Sequence, residues 1–229
     1  MRVAVLRFPG SNCEPELLRA AERAGAEAYF LFHRETGLRG ADAVFLPGGF
    51  SYGDYLRSGA IAKFAPVMAA VREHAERGGP VLGVCNGFQI LCESGLLPGA
   101  LVRNAGLKFL SRPVDVRVER TDTPFTCAYA GREIIRIPIG HGEGRYVAPD
   151  DVLDELEDQG RIVFRYIGGS PDAPANPNGA MRDIAGICSA GRNIVGLMPH
   201  PERLADPVLG SDAGHRVFAS LMQWGAAVR

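Results

Sequence analysis

Pro80-Val81-Leu82-Gly83-Val84-Cys85-Asn86-Gly87-Phe88-Gln89-Ile90-Leu91 is the stretch on which the reading of this chain turns. An apolar, β-branched run enters Gly-x-Cys-x-Gly, and an apolar helical stretch follows at once. That is the pattern of a nucleophile elbow, a sharp strand-to-helix turn that lifts one side chain above a sheet, with cysteine in place of serine. Gly83 and Gly87 remove Cβ atoms where strand and helix must pack closely around the turn. The cysteine then sits at a helix N-terminus, where the positive end of the dipole favours a thiolate. The N–H of Asn86 points to where an oxyanion would form. A core cysteine between two ordinary turn glycines would leave the same pentapeptide, so the elbow alone does not decide.

Working outward, short β-branched runs alternate with Ala-rich helical stretches. Val3–Phe8, Ala28–Phe32 and Ala43–Leu46 read as strands, and Glu14–Ala24 as a helix with Leu17, Leu18 and Ala21 on one face. Residues 60–77 read as one long helix closed by Gly78-Gly79. Uncharged strands alternating with helices imply a parallel sheet covered on both faces. After Leu101 the pattern changes. Val114–Val118 alternates, and Glu133–Ile139 and Arg161–Tyr166 add strands of antiparallel or edge type. Ile184–Cys188 and Ile194–Met198 flank a hairpin turn, and Ala213–Trp224 closes the chain as a helix. The turn-rich segment 168–180 is long for a loop in a compact domain, as functional or disordered loops are. With no repeat, linker or second core visible, residues 1–229 read as one domain.

Composition narrows the function classes. Apolar residues make up 46% of the 229 and charged ones 22%, which fits a packed core and argues against disorder. A net charge of −1 supplies no field that would draw the chain to nucleic acid or an acidic membrane. No apolar run reaches the ~18 residues of a membrane span, and Met1–Leu6 begins directly as a strand rather than as a signal peptide. Cys13, Cys85, Cys92, Cys127 and Cys188 contain no Cys-x-x-Cys pair. A disulfide framework or zinc site is therefore not expected, and a reducing cytoplasm is.

A thiolate nucleophile needs a base, and the base an orienting group. Among the histidines, His33, His74 and His215 sit in helical or loop contexts that suit solvated or capping roles. His200 follows an apolar strand in Met198-Pro199-His200-Pro201-Glu202. If that segment is extended, His200 and Glu202 point to one side and the carboxylate can hold the imidazole. The flanking prolines would stiffen it and keep it out of helix. A second oxyanion donor is expected at another strand end, and Phe45-Leu46-Pro47-Gly48-Gly49-Phe50 fits, because paired glycines let backbone amides approach a ligand.

Taken together and in order, Pro47-Gly48-Gly49, Gly83-Val84-Cys85-Asn86-Gly87-Phe88-Gln89 and His200-Pro201-Glu202 resemble the class I glutamine amidotransferases. The segments Phe8–Cys13, Gly49–Asp54, His141-Gly142-Glu143-Gly144-Arg145 and Asn176-Pro177-Asn178-Gly179 extend the likeness over essentially the whole chain, and narrow it to a glutaminase branch serving purine biosynthesis. The resemblance implies a flavodoxin-like three-layer α/β sandwich with a mostly parallel central sheet and antiparallel additions. It implies Cys85 as nucleophile, His200 as acid–base, Glu202 as orienter, and backbone N–H donors at Gly49 and Asn86. Gln89, His141 and Gly142 would border a glutamine pocket. A large synthase subunit and a small accessory subunit would complete the complex. The resemblance also implies ATP and Mg, with formylglycinamide ribonucleotide, on the synthase partner and no cofactor or metal in this chain, which agrees with the absence of a Gly-x4-Gly-Lys-Ser/Thr motif. The alternatives are the glutaminase of another amidotransferase, or a cysteine-elbow peptidase or deglycase-like enzyme. These last lack the late His-x-Glu together with Pro-Gly-Gly. Cys13 and Arg57 lie in typical segments without an assigned role.

Overall fold

The computed structural model describes residues 1–168 and 175–228. In chain order the elements are β1 (Arg2–Arg7), α1 (Glu14–Arg23), β2 (Glu27–Phe32), β3 (Ala43–Leu46), α2 (Val67–Glu76), β4 (Val81–Val84), α3 (Asn86–Glu93) and β5 (Ala100–Val102). They continue as β6 (Leu110–Val118), β7 (Ile134–His141), β8 (Arg145–Val147), α4 (Asp150–Asp158), β9 (Ile162–Ile167), β10 (Ile184–Cys188), β11 (Ile194–Leu197) and α5 (His215–Val228).

Nine strands form one sheet in the order β2-β1-β3-β4-β11-β10-β9-β6-β7. The first five are parallel neighbours, and the strand order of this half is that of a flavodoxin-like doubly wound sheet. From β11 onward every pairing is antiparallel, which accounts for the change of pattern after Leu101. β5 and β8 pair separately.

The sheet's two faces are set by side-chain alternation. Phe45 of β3 meets Phe218 of α5 on one face. One residue on, Leu46, Gly83 and Gly196 are in register across β3, β4 and β11, and face α3. Because this row carries two glycines, α3 approaches very closely. A Cβ at Gly83 would lie 2.5 Å from Leu91, and one at Gly196 would lie 2.1 Å from Phe88. Core strands β3, β4, β10 and β11 are buried along their whole length, as sheets covered on both faces require.

One helical expectation is corrected. Residues 60–77 are not one helix. Ala62–Phe64 is a 3-10 turn, Ala65 is extended at ψ 138°, and the α-helix starts only at Val67. Pro66 is the cause, since a residue before proline is pushed out of the α region. The acidic helix α4 was not anticipated. It follows Pro149, opens on Asp150-Asp151 and buries only Leu153 and Leu156. Of the loop expected at 168–180, residues 169–174 lie outside the described residues.

Candidate active site

The parallel strands β1, β3, β4 and β11 end on one edge, and the segments leaving them enclose a pocket of about 360 Å³. Ligand crevices of open α/β sheets lie at this edge. Cys85 leaves β4 with φ 51° and ψ −106°, outside the regions an L-residue ordinarily adopts. Strain of this kind costs about 1–3 kcal/mol and persists only where the surroundings hold it. Here they do. The Cys85 N–H donates to the Leu197 carbonyl at 2.8 Å, and α3 begins at the next residue. A side chain at Gly87 would overlap the Leu46 carbonyl, at 2.0 Å from the built Cβ. The elbow therefore requires glycine there for steric reasons.

His200 leaves β11 and is pinned by its N–H to the Pro138 carbonyl of β7 at 2.8 Å. Its Nδ1 meets Glu202 Oε1 at 2.6 Å, with both side chains fully buried. The contact is made by a different backbone than expected. Pro201–Leu204 is a 3-10 turn with Pro201 at its start, not an extended segment. Proline is tolerated there because the first N–H of a helix has no internal partner. Burial disfavours charge on His200, but the Glu202 carboxylate, with Cys85 and Cys13 close by, outweighs it and holds the imidazole well above its usual range. His200 Nε2 is buried and has no hydrogen-bond partner among the described residues. It converges with the nucleophile at Gly140, whose carbonyl is 3.8 Å from Cys85 Sγ and whose built Cβ is 4.0 Å from Nε2.

Both glycines of Pro47-Gly48-Gly49 have a steric reason. A Cβ at Gly48 would lie 2.8 Å from His200 Cε1. Gly49 lines the pocket at φ 143°, and its Cβ would strike the backbone of Ser11 and Asn12 at 2.8 Å. Among the described residues nothing accepts from the Gly49 N–H. The N–H of Asn86 opens α3, where no intrahelical acceptor exists. Asn86 is fixed by Ser51 N–H donating to its Oδ1 and by its own amide donating to Gln89 Oε1.

Gln89, His141 and Gly142 all line the pocket. Gln89 donates to the Glu143 carbonyl at 2.5 Å, tying α3 to the turn after β7. His141 Nδ1 faces Asn104 Oδ1 at 3.1 Å, and Asn178 donates to the Gly144 carbonyl at 2.8 Å. Asn104 and Asn178 thus clamp the 141–144 turn from two distant segments. In the sequence Asn178 stood only in the Asn176-Pro177-Asn178-Gly179 segment, with no pocket role read from it, and Asn104 stood in no motif at all. Burial first, then the nearby His200, push His141 down to about 4, so it is a neutral ring at pH 7.

One further expectation changes, and the two residues left without a role can be placed. Cys13 is buried and lines the pocket. His74, expected to be solvated or capping, is buried with Nε2 at 3.3 Å from the Pro80 carbonyl. Arg57 forms a bidentate pair with Glu93 at the far end of α3, away from the nucleophile.

The His141 shift has a consequence for stability. Its folded value of about 4 lies below the ordinary 6.5, so the unfolded chain takes up a proton first as pH falls. Stability from this group is complete above 6.5 and is lost through the window down to about 4. Wild type is therefore expected to lose melting temperature relative to His141→Gln between about pH 7 and pH 5. A difference in Tm that stays constant over that range contradicts a buried neutral His141.

A parallel sheet, a strained cysteine elbow and a buried His–Glu pair at its carboxyl edge define a cysteine-dependent amidotransferase class, and the chain belongs to the family of CobB/CobQ-like glutamine amidotransferase domains, whose model matches residues 1–224. It is 58% identical over 222 residues to phosphoribosylformylglycinamidine synthase subunit PurQ of Rubrobacter xylanophilus, covering 97% of this chain and 98% of that one. It is 55% identical over 223 residues to the subunit of the same name from Thermus thermophilus, again covering 97% and 98%. Among solved structures, that of PurLQS from Thermotoga maritima superposes with a TM-score of 0.88 at 43% identity, over 97% of this chain and 98% of that one.

Proposed function

We infer that this chain is the glutaminase subunit of phosphoribosylformylglycinamidine synthase, acting as a single amidotransferase domain over residues 1–229. It releases ammonia from glutamine for a large synthase subunit in purine biosynthesis, within a complex completed by a small accessory subunit. Full-length similarity to subunits of that name supports the assignment. The observation that carries the chemistry is the strained Cys85 elbow opening on a pocket that is also lined by His200, the ring Glu202 holds.

In the proposed reaction the Cys85 proton rests on His200 Nε2, whose charged form Glu202 favours, while Sγ attacks the carboxamide carbon of glutamine. The oxyanion is received by the Gly49 and Asn86 N–H groups. As the C–N bond breaks, His200 returns the proton to the leaving nitrogen, giving ammonia and a γ-glutamyl thioester on Cys85. Water then loses a proton to His200, attacks the thioester and releases glutamate, and the thiol is restored. Glu202 holds Nδ1–H throughout and stabilises the imidazolium. Gln89, His141 and Gly142 shape the pocket for the substrate. ATP and Mg act on the synthase subunit, with formylglycinamide ribonucleotide. No described helix is long and apolar enough to cross a membrane, and we place the protein in the cytoplasm.

Brief exposure to a glutamine-like diazo-ketone tests the nucleophile. Peptide mapping is expected to find the label on Cys85 alone. Preferential labelling of Cys13 or Cys188 would sink the assignment.

A further inference from the structure

Glu202 fixes only one nitrogen of His200, and a second group of side chains surrounds the other edge of the ring. Cys13, the residue before α1, is 2% exposed and lines the pocket with Cys85. Its N–H donates to the Gly48 carbonyl at 3.2 Å. Across that same glycine the ring and the sulfur are neighbours, since a Cβ at Gly48 would lie 2.8 Å from His200 Cε1 and 3.1 Å from Cys13 Sγ. One donor atom each from Cys13, His200 and Glu202 lies within 4.8 Å of the others.

Arg203 closes the ring of contacts. Its Nη2 donates to Cys13 Sγ at 3.2 Å, and its Nη1 lies 3.0 Å from the Cβ position of Gly140, where His200 Nε2 and Cys85 Sγ converge. It forms no salt bridge among the described residues, so the sulfur is its hydrogen-bonded partner. The carboxylates of Glu202 and Glu16 lie near enough to favour its charge, but among the described residues neither is hydrogen-bonded to it.

We propose that Cys13 and Arg203 form a positioning pair that keeps the free edge of the His200 imidazole turned to Cys85. The inference rests on the proposed glutaminase mechanism. With Nδ1 tied to Glu202, the ring can still tilt about that contact, and two sulfurs stand near the Nε2 side. Arg203 donates to Cys13 Sγ and occupies it as an acceptor. Its positive charge also discourages a protonated imidazole from turning that way. Cys85 is left as the partner for Nε2. The charged and titratable groups around His200 in this arrangement are Glu202, Cys85, Cys13, Arg203 and His141, with Glu16 behind Arg203.

Glutamine hydrolysis by the assembled complex, measured for Arg203→Met, Arg203→Lys, Cys13→Ala, Cys13→Ser and Cys13→Ala/Arg203→Met, tests this. Arg203→Met is expected to lower kcat by at least ~10-fold, or about 1.4 kcal/mol of barrier, with KM changed less than about twofold. Arg203→Lys should recover part of that loss, and Cys13→Ser should lose less than Cys13→Ala because a hydroxyl still accepts from the guanidinium. The double variant should be no worse than Arg203→Met, because residues acting as one unit are not additive. An unchanged kcat in Arg203→Met, or a fall carried by KM with additive single effects, overturns the pairing. If Cys85→Ala retained glutamine hydrolysis in the same assay, the underlying mechanism, not the pairing, would be at fault.

Discussion

Replacing His200 with alanine is expected to reduce the rate of glutamine hydrolysis by ~10²–10⁴-fold, the usual contribution of a positioned general acid–base. In barrier terms that is about 2.7–5.5 kcal/mol. The proposed role makes the effect fall mainly on kcat. In that role the ring transfers a proton in both half-reactions, but the pocket proposed for glutamine is walled largely by other residues, among them Gln89, Gly142 and Glu143. Glu202→Gln should leave more activity than His200→Ala. An amide oxygen can still accept from Nδ1–H at the 2.6 Å contact, yet it brings no charge to stabilise the imidazolium. The Glu202 carboxylate is what overcomes burial at His200, so its loss should also weaken the ring's hold on a proton. Steady-state kinetics of the two variants at saturating glutamine check this. Wild-type turnover in His200→Ala would remove His200 as the base.

The parts of the site legible in the sequence were those whose chemistry is local. The elbow shows because strand, glycines, cysteine and helix are contiguous, and its sterics are visible in Gly83, Gly87 and their neighbours. His200 and Glu202 are two residues apart, so their pairing survives even though the backbone between them is a 3-10 turn rather than extended. The parallel half of the sheet was legible because its inner strands β3, β4 and β11 are buried on both faces and therefore uniformly apolar. What could not be read depends on topology. Cys13 and Arg203 are 190 positions apart and meet only because β1 and β11 end on the same edge of the sheet. Asn104 and Asn178 reach His141 across 37 positions each, and asparagine in a loop gives no sign of whether it caps a turn or clamps a catalytic wall. Helix α4 was legible but passed over, because Val152, Leu153 and Leu156 fall on one face among acidic residues, which is a helical pattern. The break before α2 was a similar miss. Pro66 stood in plain view, and the continuous Ala-rich pattern was given more weight than the restriction a proline places on its predecessor.

The central claim is that Cys85 generates ammonia at a site separate from the one that consumes it. Nothing in this chain's sequence resembles a phosphate-binding Gly-x4-Gly-Lys-Ser/Thr loop, and the proposed nucleophile lies in a pocket shaped by Gln89 and the 141–144 turn. Removing the thiol removes the only proposed covalent acceptor for the γ-glutamyl group, while leaving the synthase's own chemistry untouched. Alanine is smaller than cysteine, and the backbone at position 85 is held by the Leu197 carbonyl, so the fold and the subunit contacts should persist. The most direct measurement is therefore product formation by a reconstituted Cys85→Ala complex supplied with ATP, formylglycinamide ribonucleotide and either glutamine or an ammonium salt. The account predicts that synthesis from glutamine is lost and synthesis from ammonium is retained at the wild-type level. Glutamine-dependent synthesis in the variant, or failure of ammonium to support it in a fully assembled complex, would contradict it.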